Sequence, residues 1–589
     1  MAHIPTNKSS REWHAYIIPL VLAFLWIVLV VSLGCIGFRD ASPLVSDRIY
    51  FALQLLFLGG SHFPDHMSWQ LQVARFLAPA GVLVTLVLGI LVVTFLSVDQ
   101  VRLWALWCIP WRKKHIVVCG LGRKGFQLVS DYRSRGHPVL VIDKDDRNPL
   151  IPDCDRLGAV VLIGDAAKLT TMRKAHIGGA HCIVATCGDD GANMAIALHA
   201  DDLMMRLGFI RRLLRRISGR TGSLPCYVHI VDLELRTQFR RHRMPHPRRT
   251  QVKIFNVYEN SARLLFRSHF MDYQNPILRE DDPRQAHLVV FGFGQLGASV
   301  VLQAVKMAHF PNGKQLRVTV IDKDAERRHN RFLTHYGSFH NLCEAKFIEI
   351  DAEKPAVLDQ IAQWCEEPNS IVTLAVCFDS DSHSLSFGLT LRNGIGSSQC
   401  PILVRMESHA GLATLFPDVK EGSKGSVPMS NIQGFAKIEE ASSYEVVADD
   451  TLNTFARKIH KEFVSKRVKD GRSPKDPSMK SWEELDPDLK DSNWQEAEHL
   501  QLKLRAINSC PEKISDEDVE KLAKMEHSRW ITERSLAGWR IGLVKDLARR
   551  IHPDLKPWQE LENAVQEYDR EVVKLIPELE RLDKQMNLL

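Results

Sequence analysis

The chain has 589 residues, of which 45% are apolar and 25% charged, with a formal net charge of +6. Such a length exceeds one hydrophobic core and implies about three to five domains, and the composition excludes a chain that is mostly embedded in a bilayer. Twelve cysteines show no CxxC pair and no Cys/His cluster at ligand spacing, and Cys119, Cys182 and Cys377 sit inside apolar runs, so they read as reduced core thiols and no metal site is expected.

The first 114 residues carry the apolar excess. Residues 16–37 and 76–98 are free of charge, and each exceeds the roughly 20 residues that a helix needs to cross a bilayer. Lys8 and Arg11 precede the first stretch, and Arg102, Arg112, Lys113 and Lys114 follow the second, a bias that places both ends of a hairpin in the cytoplasm. The expectation is a multi-pass inner-membrane protein in contact with lipid, with both termini and the large globular part cytoplasmic. Between the two lies IYFALQLLFLGGS (residues 49–61), too short to cross. It reads either as a re-entrant half-helix, with Leu58, Gly59, Gly60 and Ser61 as pore candidates, or as an amphipathic helix on the outer leaflet.

From residue 115 the pattern changes. HIVVCGLGRKG is a buried-strand run followed by Gly120, Gly122 and Gly125 in GxGxxG spacing. These glycines allow, in turn, a tight turn, backbone approach to a pyrophosphate and close packing of helix on strand. HPVLVIDKD then ends a second strand at Asp143, placed to accept from a ribose diol, which favours NAD or an adenosine nucleotide over NADP. The whole pattern returns in HLVVFGFGQLG (Gly292, Gly294, Gly297) and RVTVIDKD (Asp322). VVLIGDAAKL with Asp165 matches KFIEIDAEKP with Asp351, IVATCGDD with Asp189 matches LAVCFDSD with Asp379, and PCYVHIVD matches PILVRMES. Two doubly wound α/β domains follow, over 115–285 and 286–445.

The order strand, GxGxxG, VID, GDA and a following acidic turn resembles the RCK or TrkA-N domain that regulates potassium channels and transporters. The resemblance implies a nucleotide pocket lined by Gly120, Gly122, Gly125, Asp143 and Asp165, holding NAD, ATP or ADP as a bound ligand and not as a redox cofactor. The same roles fall on Gly292, Gly294, Gly297 and Asp322, although IDAEK replaces GDA, and a purely structural second domain is the alternative. It also implies a symmetric homo-oligomer, a tetramer if the pore is its own. The filter sequence TVGYG is absent, so potassium selectivity does not carry over. FIRRLLRRISGR (209–220) and RRHRMPHPRRT (240–250) read as solvated insertions, the alternative being binding of anionic lipid headgroups or polyphosphates; no recognised nucleic-acid fold surrounds them and nucleic-acid binding is not expected.

Residues 446–589 are charged and helical, with a further internal repeat. ARKIHKEFVSKR is echoed by AKMEHSRWITER, and SWEELDPDLKDSN by PWQELENAVQEYD. MEHSRW, GWRIG, HPDLKPWQEL and EYDRE resemble the RyR (ryanodine-receptor repeat) domain. His527, Trp530, Trp539, Arg540 and Trp558 are candidates to stack a base and fork onto a phosphate; the alternative is that the tryptophans are core.

The fold class expected is thus a membrane protein with two transmembrane helices and a re-entrant segment, two Rossmann-like RCK domains and a mostly α-helical RyR module. The function expected is a ligand-gated cation channel, with potassium or another inorganic cation as its ion, whose cytoplasmic domains sense a nucleotide. The alternatives are a membrane-anchored, nucleotide-binding regulatory subunit of a separate cation transporter and an NAD-dependent oxidoreductase. Neither glycine turn is followed by a substrate domain with a placed acid or base, so no catalytic residue is expected.

Overall fold

The computed structural model describes residues 25–39, 42–56, 68–78, 83, 115–206, 223–236, 250–269, 271, 278–395, 400–407, 431–448, 450–507 and 513–587. They fall into two compact units, 1–121 with 136–181, and 122–135 with 182–589.

In the first unit, helices over 25–37, α1 (Val45–Leu56) and 69–78 enclose a small core of Val30, Phe38, Leu55, Leu71, Ala74 and Ala78. Small residues set the spacing: a Cβ at Gly34 would stand 2.7 Å from the Cβ of Ala52. The expectation of two membrane spans is corrected here, because among the described residues no helix is long and apolar enough to cross a membrane. The helix over 25–37 ends in a turn at residues 38–39. Helix α1, which overlaps the run expected to be too short to cross, has 12 residues and includes Asp47 and Arg48. The membrane fold class and the inner-membrane location are overturned together. Residues 16–24, 79–82 and 84–98 lie outside the described residues, as do Leu58, Gly59, Gly60 and Ser61.

The same unit carries β1 (Ile116–Cys119), β2 (Val139–Asp143) and β3 (Val160–Ile163), parallel in the order β3-β2-β1. Their almost uninterrupted apolar sequences suit strands covered on both faces.

The second unit begins with α2 (Arg123–Ser134), followed by β4 (Ile183–Ala185), α3 (Asp190–Met205), β5 (Leu224–His229), β6 (Thr250–Phe255) and α4 (Val257–Ser268). Strands β4, β5 and β6 are parallel neighbours in that order. A complete second sheet follows, built from β7 (Gln285–Phe291), β8 (Arg317–Asp322), β9 (Glu344–Glu349), β10 (Ser370–Val376), β11 (Ile402–Arg405) and β12 (Ile432–Phe435). All its strands are parallel, in the order β9-β8-β7-β10-β11-β12. The order reverses between β7 and β10, and in open α/β sheets the crevice at the carboxyl ends of the two strands flanking such a reversal is where ligands bind. Helices α5 (Gln295–Met307), α6 (Ala325–His335), α7 (Pro355–Glu366) and α8 (Asp381–Gly394) connect the strands.

The C-terminal helices α9 (Asp450–Lys469), α10 (Pro487–Glu498), α11 (Leu500–Ala506), α12 (Asp516–Leu536), α13 (Asn563–Val573) and α14 (Ile576–Asn587) share a core with α4 and α5. Charges run through that packing. Lys503 Nζ donates to Glu526 Oε2 at 2.6 Å, and Arg529 forks onto Glu526 at 2.7 Å and reaches Glu533 at 3.4 Å, with all four side chains at most 5% exposed. Nearby, burial and then the Glu526 charge push the Glu496 carboxyl up to about 8.

Candidate functional site: two glycine turns and an aromatic module

The two glycine turns are held by the same device. In the first, Gly120 has φ +94°, a left-handed conformation open to glycine, and its N–H donates to Ile142 O at 2.8 Å. The next N–H, of Leu121, donates to Asp143 Oδ2 at 2.6 Å, while Asp145 N–H donates to Asp143 Oδ1 at 2.9 Å. In the second, Gly292 has φ +88°, Phe293 N–H donates to Asp322 Oδ2 at 2.6 Å and Asp324 N–H to Asp322 Oδ1 at 2.7 Å. The acid after the second strand is therefore first a clamp on the turn. Asp165 closes its own turn by accepting from Ala167 N–H at 3.0 Å.

Beyond the shared clamp the two turns differ. Gly122 caps α2 in an extended conformation, and none of the described residues lies within 4 Å of where its Cβ would stand; the same is true of Gly188 after β4. Gly125 is buried in the first turn of α2. At Gly294 a Cβ would stand 3.3 Å from Arg328 Nη1 and 3.9 Å from Asp379 Oδ1, and at Gly292 it would stand 3.1 Å from the ring of Phe378. A Cβ at Gly297 would collide with the carbonyl oxygen of Gly292, which is why the third glycine is needed to seat α5 on its strand.

Several residues at these turns were not singled out in the sequence. Lys124 Nζ stands 3.3 Å from His229 Nε2, and burial lowers the Lys124 pKa against the pull of Glu407 and Asp190. Burial, and then Lys124, hold the His229 imidazole down to about 3. Fully buried Asn193 ties the ends of β4 and β5 by donating to Cys187 O at 2.9 Å and His229 O at 3.0 Å. Glu407, at the end of β11, accepts from the buried Arg405 and stands 3.9 Å from Arg123 Nη1 at the start of α2. A lysine inside GRKG was the available signal for Lys124; Glu407 is far from it in sequence and had none.

The opposite end of α2 is also engaged. Asp131 Oδ2 accepts from Tyr444 N–H at 3.2 Å, Arg135 pairs with Glu445 at 2.7 Å, and the Tyr132 and Tyr444 rings meet edge to face at 5.3 Å. Tyr444 opens the short helix that leads into α9.

In the C-terminal module the candidates separate. His527 is buried, with Nε2 2.8 Å from Lys556 O, Nδ1 3.2 Å from Asp569 Oδ2 and its ring 5.8 Å from Trp558. The first half repeats this arrangement, with His460 Nε2 2.8 Å from Lys480 O and its ring 5.8 Å from Trp482. Ala456, Trp482 and Leu485 form one small core, and Ala523, Trp558 and Leu561 its counterpart. His527 and Trp558 are thus the packing unit of the repeat. Trp530, stacked on His527 at 5.8 Å, and Trp539 also lie edge-on to His552, at 5.1 and 6.1 Å, and the Arg534 guanidinium lies 5.5 Å from the Trp539 ring. Arg540 is exposed, on the two-residue strand β13 (Arg540–Ile541) that pairs with β14 (Ile551–His552).

Comparison with known proteins places family matches on two of these regions. Residues 116–216 match the TrkA-N domain and residues 509–578 match the RyR domain. An uncharacterized protein of Methanothermus fervidus is 24% identical over 227 residues, which are 35% of this chain and 32% of that protein, so the chain spans about a third of that relative's length. Among solved structures, a mutant of GsuK aligns over 75% of this chain and 99% of its own at 12% identity and a TM-score of 0.38. GsuK bound to ADP covers 74% and 99% at 12% identity and 0.36, and the GsuK channel bound to NAD covers 74% and 84% at 12% identity and 0.37. At such identities and scores nothing about this chain follows from those three.

Proposed function

We propose that this chain is a nucleotide-sensing regulatory protein that controls cation flux through a separate transporter, with NAD or an adenine nucleotide bound at the first glycine turn. The observation that supports it is the start of the 12-residue helix α2 within the TrkA-N match, where among the described residues nothing lies within 4 Å of the Cβ position of Gly122, and a helix N-terminus, with its first amides and positive dipole, suits a phosphate. When bound there, the nucleotide supplies negative charge. Arg123 and Lys124 turn toward that charge, and Glu407 is left to Arg405. Helix α2 carries the change to its other end, where Asp131, Tyr132 and Arg135 hold Tyr444 and Glu445 before α9. The C-terminal module acts as the receiver or as a second sensor, through the Trp530, Trp539 and His552 cluster. Chemistry on the ligand has no place in this reading.

The test is rubidium uptake by cells expressing the chain, compared with cells expressing Gly122→Asp, together with ADP and NAD binding by the purified proteins. Uptake that responds to wild type and not to the variant, with nucleotide binding lost in the variant, is the outcome expected. Equal uptake in both despite lost binding would sink the regulatory reading, and turnover of NAD would move it to the oxidoreductase.

A further inference from the structure

The second glycine turn has the sequence of a dinucleotide site and the clamp of one, yet its space is taken. Three side chains reach it, one from α6 and two from the connection between β10 and α8. Arg328, on α6, places Nη1 3.3 Å from the Cβ position of Gly294, and its Nε, buried among the described residues, stands 3.5 Å from Asp322 Oδ1. Phe378, after β10, lays its ring against Gly292, where a Cβ would stand 3.1 Å from Cδ1, and is fixed by stacking on His383 at 4.5 Å and by Phe387 at 5.4 Å. Asp379, at the solvent edge with its side chain 94% exposed, places Oδ1 3.9 Å from the Cβ position of Gly294 and accepts from Arg405 Nη1 at 3.0 Å.

The first copy shows that none of this is required by the fold. Asp189 caps α3 by accepting from Ala192 N–H, and Ser380 caps α8 by accepting from His383 N–H. Counting back from these caps, Phe378 and Asp379 stand where the first copy has Cys187 and Gly188, and among the described residues nothing lies within 4 Å of the Cβ position of Gly188. At Gly294 the backbone approach that the second glycine of the motif exists to permit is made instead by a guanidinium of the chain itself. A carboxylate beside it also opposes any incoming phosphate.

We propose that the second Rossmann copy is closed by its own side chains, with Arg328, Phe378 and Asp379 filling the place of a dinucleotide, so that each chain binds one nucleotide and binds it in the first copy. The location in the first copy rests on the function proposed above; the closure of the second does not. Arg328 fills the turn in place of a ligand phosphate and is not a phosphate-binding arginine, and the two roles give opposite signs on substitution.

Equilibrium dialysis of labelled ADP against the full-length chain tests it. Wild type is expected to bind one ADP per chain and Gly122→Asp none. Adding Arg328→Ala, Phe378→Cys and Asp379→Gly to Gly122→Asp is expected to restore one. Two ADP per chain in wild type, or one retained in Gly122→Asp, would overturn the inference. Loss of that retained ADP on adding Arg328→Ala alone would identify the arginine as a ligand residue. If wild type binds none, the proposed function fails, while ADP bound by the opened variant would still support closure and its absence there would reject both.

Discussion

Glu407→Gln is the substitution that most sharply separates a regulatory contact from a packing one. The side chain is 22% exposed, accepts from Arg405 and faces Arg123 at 3.9 Å, while its backbone N–H donates to Asp381 Oδ2 at 3.0 Å. Gln keeps the shape and the backbone bond and removes one negative charge. A unit charge across about 4 Å is worth about 1 kcal/mol in water and about 4 kcal/mol at an effective dielectric of 20. Arg123 is 72% exposed, so the lower figure applies. Removing a competitor and a like charge beside an incoming phosphate should therefore tighten ADP by about 1 kcal/mol, or about fivefold in Kd. Titration calorimetry at low and high salt reads this directly, because the gain should shrink as ionic strength rises. Arg405 keeps Asp379 and Phe378 O, and thermal melting checks that the fold survives. An ADP affinity unchanged or weakened in a folded variant would refute the proposed exchange of partners at the start of α2.

Three further expectations concern stability. Gly297→Ala forces a methyl into the Gly292 carbonyl and should cost about 3 kcal/mol in urea unfolding, whereas Gly122→Ala enters open space and should stay within about 0.5 kcal/mol. Burial, and then Lys124, depress His229 to about 3, so the native imidazole stays neutral while the unfolded one takes a proton near pH 6.5. The stability this residue contributes is full above about pH 6.5 and falls as pH drops, by about 2 kcal/mol at pH 5; unfolding at pH 7.5 and 5.0 should show the loss, reduced in His229→Gln. Arg529→Met leaves Glu526 and Glu533 short of a partner in a buried network and should cost about 3–5 kcal/mol, read as an early melting step of the helices that carry it.

Much of the architecture was legible because it is written twice. GxGxxG and VIDKD recur at equivalent places, and parallel strands buried on both faces leave the near-continuous apolar runs that mark them. The acid at Asp143 and Asp322 was found by the same pattern, although its first duty, clamping Leu121 or Phe293, is visible only in three dimensions. The crowding at Gly294 was not legible, since Arg328 and Asp379 come from separate elements and converge only when the sheet forms. The one-residue offset between Asp189 and Ser380 as caps also escaped an alignment that paired Asp189 with Asp379. His527 and Trp558 could have been recognised as packing residues, because the echo of ARKIHKEF in AKMEHSRW already aligned them with His460 and Trp482. Hydropathy misled most in the first unit. Charge-free stretches satisfied a length rule, but among the described residues no helix is long and apolar enough to cross a membrane, and Gly34 and Gly37 let the described helices close on one another.

The most direct test of nucleotide sensing is amide hydrogen exchange on the full-length chain with and without ADP. Protection at residues 120–126, together with altered exchange at residues 444–448, is the expected result, because α2 joins the glycine turn to Tyr444 and Glu445. ADP bound with no change in either segment, or protection confined to the turn at Gly292, would contradict it.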